Sequence, residues 1–256
     1  MRKLIFLSTL LFNVIVVPAQ QSGTMFVAAK TSLSIREKPN AEAKVIDKIP
    51  YGTKITIIQA EEELKTITVE GMKGYWQKVN YNNKTGFIID SYLFPSPPPK
   101  LATVKELKNY LTQISTPFGA KLTVKSGAMN NIAEGGWEMQ KQLYKNGAEW
   151  HHNMGYEYGS DTYFLPNFTL EQGFLLLRLI PEFKMVFGEK DEYPTQNKTI
   201  KRGENDYSIK IEKVTSSDSE YSFIKRISVE YADGAFYSFD MYLIDNQLVV
   251  SFSSGV

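Results

Sequence analysis

TSLSIREKPNAEAKVIDKIPYGTKITII at residues 31–58 and GYWQKVNYNNKTGFIIDSYLF at residues 74–94 decide the reading of this chain. Both stretches are built for strands. Leu33 and Ile35 sit at alternate positions, and Lys54-Ile55-Thr56-Ile57-Ile58 is rich in the β-branched residues that suit a half-buried pleated surface. Val45, Ile46 and Ile49 run into Tyr51-Gly52-Thr53, where Gly52 can take a positive φ at no steric cost.

Leu33, Ile35 and Arg36-Glu37-Lys38-Pro39-Asn40 resemble an "L-x-x-R-x-x-P-x" opening, and Val45 to Thr53 resembles "V-I-x-x-x-x-x-G-T". Trp76-Gln77-Lys78-Val79 with Asn82 to Ile88 resembles the closing hairpin "W-x-K-V … G-K-T-G-W-V", and Ser91-Tyr92-Leu93 matches a terminal "S-Y-L". Together these motifs are similar to the bacterial SH3 (SH3b) family over residues 24–94. The resemblance implies a small SH3-like β-barrel that binds a partner and performs no chemistry. Its groove residues would be Tyr51, Tyr75, Trp76 and Tyr92, although Trp76 and Tyr92 are also needed to close the barrel. Two departures stand near the groove. The link from Ala60 to Tyr75 is long, with Leu64, Ile67 and Val69 suggesting an extra strand, and Phe87 stands where the family more often has Trp.

The start of the chain reads as an export signal. Met1-Arg2-Lys3 is a basic n-region, Leu4 to Val17 is an apolar run too short for a comfortable bilayer span, and Val17-Pro18-Ala19 offers a cleavage site. The competing reading is an uncleaved anchor. No later stretch is apolar enough to span a membrane, so residues 1–19 are expected to leave a mature chain in the periplasm or outside the cell. The chain has no cysteine, which excludes a lipid-carrying lipobox and any disulfide. Stability must then come from burial, and about 235 mature residues can supply two domains. Loss of Arg2 and Lys3 turns the formal charge of +1 into −1. Such a chain lacks the field that gathers nucleic acid, so no nucleic-acid partner is expected.

Pro95-Ser96-Pro97-Pro98-Pro99 sets a domain boundary. Residues 95–100 read as a stiff polyproline II spacer, with a docking peptide for an SH3 groove as the alternative. Residues 101–256 read as an α+β domain, with two or three helices against an antiparallel sheet. Thr103 and Glu106 form a capping box ahead of the apolar stripe Leu107, Tyr110, Leu111 and Ile114. A second box, Thr169 to Gln172, opens a helix through Phe174 and Leu177 that ends at Pro181. Trp137, Met139 and Leu143 at even spacings, with Asn146-Gly147 as a turn, favour a long β-hairpin over a helix. From Tyr207 the pattern is a meander, with Ile209 and Ile211 alternating and Phe223, Ile227, Val229 and Tyr231 on one face.

No catalytic residue, metal site or cofactor is assigned. The chain has no Cys nucleophile, and its two histidines, His151 and His152, are adjacent. In a strand they point to opposite faces and cannot chelate one ion. Glu134, Glu138 and Glu149, near Trp137 and Trp150, are the one carboxylate cluster that a glycan hydrolase would need. The run from Trp150 to Tyr163 interleaves aromatic and hydrogen-bonding groups suited to sugars or peptides, with Trp150, His152, Tyr156, Tyr158 and Asp161 as candidate contacts. The same run equally describes one strand of a Tyr-rich sheet.

The expected function is therefore an exported, non-catalytic binding protein of the bacterial envelope. Its partners would be a peptide, peptidoglycan or an envelope protein. The alternatives are an enzyme of unrecognised type in residues 101–256, with the SH3-like part as its targeting module, and a toxin-neutralising or inhibitor protein. If the leader is cleaved after Ala19, intact-mass analysis of the exported protein will give residues 20–256, with Gln20 cyclised and lighter by one ammonia. A mass that retains residues 1–19 rules out cleavage.

Overall fold

A computed structural model describes residues 23–58, 64–126, 135–215 and 222–256. The expected leader at residues 1–19 and the candidate Glu134 lie outside them.

The first sheet is antiparallel. Its strands are β1 (Thr24–Val27), β2 (Ser32–Arg36), β3 (Val45–Pro50), β4 (Lys54–Ile58), β5 (Thr66–Val69), β6 (Met72–Tyr81), β7 (Lys84–Ile89) and β8 (Leu93–Phe94). They pair in the order β3-β2-β7-β6-β4-β1-β8, an open path, with β5 added on β6. Alternation settles which side chains are inside: Leu33 and Ile35 of β2 and Ile55 and Ile57 of β4 enter a common core with Val79 and Ile88. Gly52 turns at φ +78°, and Asn82 and Asn83 close the β6–β7 hairpin at φ +51° and +59°, the left-handed pair that a tight two-residue turn requires. The extra strand suggested by Ile67 and Val69 is present as β5.

The second sheet is also antiparallel and has nine strands. They are β9 (Pro117–Lys125), β10 (Glu138–Tyr144), β11 (Glu149–Gly155), β12 (Tyr158–Pro166), β13 (Lys198–Arg202), β14 (Asn205–Thr215), β15 (Ser222–Ala232), β16 (Phe236–Ile244) and β17 (Gln247–Gly255). The order is β13-β14-β15-β16-β17-β12-β11-β10-β9. All neighbours are consecutive in sequence except β12 and β17. The chain leaves β12 in mid-sheet, crosses one face, restarts at the far edge as β13 and meanders back until β17 pairs with β12.

Two α-helices occur among the described residues, α1 (Leu107–Ile114) and α2 (Leu170–Leu179). The capping box that opens α2 is formed: Thr169 Oγ1 accepts from the Gln172 amide at 3.2 Å, and Gln172 Oε1 accepts from the Thr169 amide at 3.0 Å. The box expected ahead of α1 is not. That helix starts at Leu107 with Glu106 as its uncapped N-cap, and Thr103 is turned back onto the Lys100 carbonyl. A residue distant in sequence takes over the role, because Glu182 Oε2 accepts the Leu107 amide at 2.7 Å. Leu107, Tyr110 and Leu111 are buried as their spacing predicts.

The expected long hairpin forms as β10 and β11, turning at Asn146 and Gly147, and register corrects one apolar expectation, that for Phe223. Trp137, Met139 and Leu143 share the outer face of the second sheet, with Trp137 47% exposed, while the inner face carries Tyr144, Trp150 and Tyr163. In β15 a bulge between Glu212 and Lys213 of its partner inserts Lys225 as an extra residue. Alternation reverses there, so Ile224 packs on the core and Phe223 is 58% exposed.

The two sheets are not independent. Ala28, Met72 and Phe94 of the first half belong to the same buried cluster as α1, α2 and the inner face of the second sheet. Phe94 packs against Phe168 with centroids 5.4 Å apart and the rings tilted by 57°, and the buried Gln172 amide donates to the Leu93 carbonyl at 2.8 Å. The β5–β6 turn docks as well: the Tyr193 amide donates to the Glu70 carbonyl at 2.8 Å, and Gly71 is needed there because a Cβ would strike the Tyr193 backbone. Residues 95–100 contain no helix or strand, yet they are tied down. Pro98 and Pro99 are buried, and their carbonyls and that of Pro97 accept from Gln113, Tyr51 and Tyr110 respectively. Proline offers no N–H, so these prolines bond through their carbonyls, while the Lys100 amide donates to Gln113 Oε1 at 2.8 Å.

A shared core makes unfolding cooperative across both halves. Phe94→Ala is expected to destabilise the protein by about 3–5 kcal/mol through lost burial and a cavity. Denaturant unfolding followed by fluorescence should show one transition in both proteins, moved to lower denaturant in the variant. Two separate transitions in the parent protein would show that the halves unfold independently.

Candidate functional site

A cavity lies where the first sheet meets α2. It measures about 390 Å³, within the range of small-ligand pockets, and it forms at the kind of junction where such pockets gather. One wall is the β1–β2 connection with Leu33, Arg36, Trp76 and Tyr92; the other is Leu175, Arg178 and Leu179 of α2 with Glu189. Strand parity explains part of the lining, since Leu33 reaches the cleft as well as the core. Leu33 and Ile35 fill the core, so Ser34 and Arg36 of β2 turn the other way and reach the cleft.

Ion pairs tie the two walls together. Lys30 pairs with Glu189, with both side chains well exposed. Arg178 is only 11% exposed; its Nη1 donates to Glu70 Oε2 at 2.5 Å, and its Nη2 donates to the Glu189 carbonyl. Burial, with Glu70 beside it, pushes the Tyr92 phenol up to about 12, so it remains a neutral donor. The cleft therefore combines an apolar floor with fixed charges at its sides.

A second cavity of about 260 Å³ sits at the other end of α2, between Gly74, Tyr75, Asp90 and Ser91 on one side and Thr169, Glu171 and Gln172 on the other. Asp90 accepts from the Tyr75 amide at 2.7 Å and from Gln77 Nε2 at 3.0 Å. Desolvation raises the carboxyls of both Asp90 and Glu171, and the negative Asp90 raises Glu171 further. Gly74 is constrained here, because a Cβ would collide with Ser91 Oγ and Asp90 Oδ1.

The four aromatic residues proposed for one groove go to three places. Trp76 and Tyr92 line the cleft. Tyr75 precedes Trp76 in the same strand, faces the opposite way and lines the second cavity. Tyr51 donates its hydroxyl to the Pro99 carbonyl at 2.7 Å, and desolvation raises its phenol.

Residues 31–94 match the bacterial SH3 domain family. The match spans about a quarter of the chain. No curated protein and no solved structure matches the chain. The SH3 domain thus supplies one wall of the cleft and α2, outside the matched residues, supplies the other. The docking turn at Glu70 and Gly71 lies within the matched residues.

In the second sheet, three of the five proposed contacts converge. Trp150, His152 and Asp161 share the inner face. Trp150 Nε1 donates to Asp161 Oδ1 at 2.7 Å, His152 Nδ1 lies 3.1 Å from the same oxygen, and the Trp150 and His152 rings stack at 5.9 Å. Lys108 Nζ of α1 lies 3.5 Å from the Trp150 ring centroid, a cation–π contact that covers the indole. Tyr156 and Tyr158 stand apart at the β11–β12 turn, 54% and 50% exposed. His151 faces the outer side and pairs with Glu149 at 2.9 Å. Glu138 and Glu149 lie on opposite faces and are bound to Lys125 and Lys141, so these two carboxylates cannot flank one bond. Among the described residues, no group of three or more His, Asp or Glu is placed to hold a metal ion, and no helix is long and apolar enough to cross a membrane.

Sequence reading missed Glu70, Arg178 and Glu189. They lie on remote segments, are not parts of any motif, and resemble ordinary surface charges.

Glu182, beside Asp161 and Glu106, carries a testable pH signature. Desolvation pushes its carboxyl up from 4.5 to about 6, opposed by the Leu107 amide it accepts. A raised folded-state pKa means that the folded protein holds this proton more tightly than the unfolded chain. The resulting stability is complete below 4.5 and is lost as pH rises through about 6. Glu182→Gln keeps an acceptor for the Leu107 amide and removes the titration. Denaturant midpoints measured across this interval should fall more with rising pH in the parent than in the variant; parallel profiles would show that Glu182 does not titrate there.

Proposed function

We propose that this is an exported, non-catalytic binding protein of the bacterial cell envelope, in which an SH3-like small barrel and an α+β domain jointly hold a peptide or cell-wall component. The observation that carries the reading is the cleft itself, with one wall from the SH3 domain and the other from α2. SH3 domains of bacteria bind peptidoglycan or peptides, and a concave site with an apolar floor and fixed charges suits such ligands. The leader-like Met1 to Ala19 supports export, and the absence of cysteine agrees with a fold that relies on burial alone.

In this reading the second domain does more than follow the first. Leu175, Arg178 and Leu179 complete the site, so a truncated SH3 domain would have only half of it. Affinity would come from burying apolar ligand surface on Trp76 and the α2 leucines, and specificity from the charged sides.

Sedimentation of residues 20–256 with purified insoluble peptidoglycan tests this directly. Ser34→Trp fills the cleft from a side chain that points away from the core. The intact protein is expected to sediment and Ser34→Trp, shown folded by its thermal melt, to bind at least about tenfold more weakly, a change of about 1.4 kcal/mol. If the intact protein stays in the supernatant, wall binding is wrong. If both proteins sediment equally, the cleft is not the site.

A further inference from the structure

Most of the charge in the cleft is already committed. Arg178 is spent on Glu70 and the Glu189 carbonyl, and Lys30 is paired with Glu189. Glu70 and Glu189 are the acids of the lining, and each already has a cationic partner.

Arg36 differs. It lines the same cavity, and its side chain makes one hydrogen bond, from Nη1 to the Ala43 carbonyl at 2.7 Å. Among the described residues it has no carboxylate partner. A guanidinium carries five N–H donors in a planar fork and is always charged, so one bond to a neutral carbonyl leaves most of its capacity unused. The lining holds Lys30, Arg36 and Arg178 against Glu70 and Glu189, which leaves one positive charge uncompensated, and that charge is on Arg36.

The surroundings make this cation fit for a ligand. Arg36 is half-buried at the end of β2, in register with Phe87, and the Ala43 bond anchors one arm of its fork. A fork held on one side loses less side-chain entropy on binding than a free arginine. Leu33, Trp76, Leu175 and Leu179 beside it offer apolar surface, where low polarity strengthens an ionic contact.

Resting on the reading of the cleft as the ligand site, we infer that it recognises a carboxylate-bearing peptide group, with the carboxylate on the Arg36 guanidinium and the adjoining small apolar side chain on the floor formed by Trp76 and the α2 leucines. The carboxylate can belong to a chain end or to an acidic side chain. Both present the same planar pair of oxygens to the fork.

Calorimetric titration of residues 20–256 with three short probes separates these sources: acetyl-Ala-Ala with a free C-terminal carboxylate, its carboxamide, and acetyl-Asp-Ala-amide. At least one carboxylate probe is expected to bind at least about tenfold more tightly than the carboxamide, and which one does so identifies the source. Arg36→Gln is expected to abolish the discrimination and Arg36→Lys to retain part of it. The carboxylate–carboxamide comparison in the parent protein needs no variant, so a poorly folding Arg36→Gln leaves the test intact. Equal affinity for all three probes, or no binding of any at millimolar concentration, overturns the inference, as does discrimination that survives in Arg36→Gln. If Ser34→Trp still reduces sedimentation with peptidoglycan in that case, the cleft stands as the site and only its ligand chemistry is wrong. If Ser34→Trp has no effect on sedimentation, the cleft reading has failed on its own.

Discussion

The buried contact between the end of the SH3 domain and the start of α2 holds the rest of the structure in place. Phe94 inserts against Phe168, Met72 joins the same cluster, and the buried Gln172 side chain satisfies the Leu93 carbonyl. A polar pair in such a place is costly to leave unmade, so it specifies one arrangement of the two halves where apolar packing alone would tolerate several. Gln172 has a second role, because its side chain also closes the capping box that starts α2. Helix initiation and the docking of the two halves thus depend on one side chain.

The cleft follows from that arrangement. With α2 fixed against the SH3 domain, Leu175 and Arg178 fall one and two turns after the docked residue, facing the β1–β2 connection across a gap that the two surfaces do not fill. The β5–β6 turn adds Glu70 to the same place, with Gly71 allowing the backbone to approach Tyr193. The β5–β6 turn therefore both docks the two halves and supplies the anion for Arg178.

Local patterns were legible where the forces that set them are local. The Thr169 to Gln172 box acts within one helical turn, and the Asn82-Asn83 hairpin acts within four residues; both form as written. The Thr103 to Glu106 pattern, Thr-x-x-Glu where the other is Thr-x-x-Gln, does not close: Leu107 starts the helix and its amide is accepted by Glu182, from a segment distant in sequence. The bulge at Lys225 is a similar case. Strict alternation put Phe223 inside, yet one unpaired residue reversed the strand and exposed it. Neither the acceptor nor the bulge leaves a mark on nearby residues.

The SH3 domain at residues 31–94, the strand alternation of its core, α2 and the antiparallel meander from Tyr207 are written in local pattern, since periodicity and turn chemistry act over a few residues. The site exists only in the folded chain. Arg36, Glu70, Arg178 and Glu189 come from four separate segments, and Tyr51, Tyr75, Trp76 and Tyr92 were dispersed by strand parity and by the docked proline segment. A cleft is the space left between two packed surfaces. Its lining depends on how those surfaces meet, and no pattern within either one encodes that meeting.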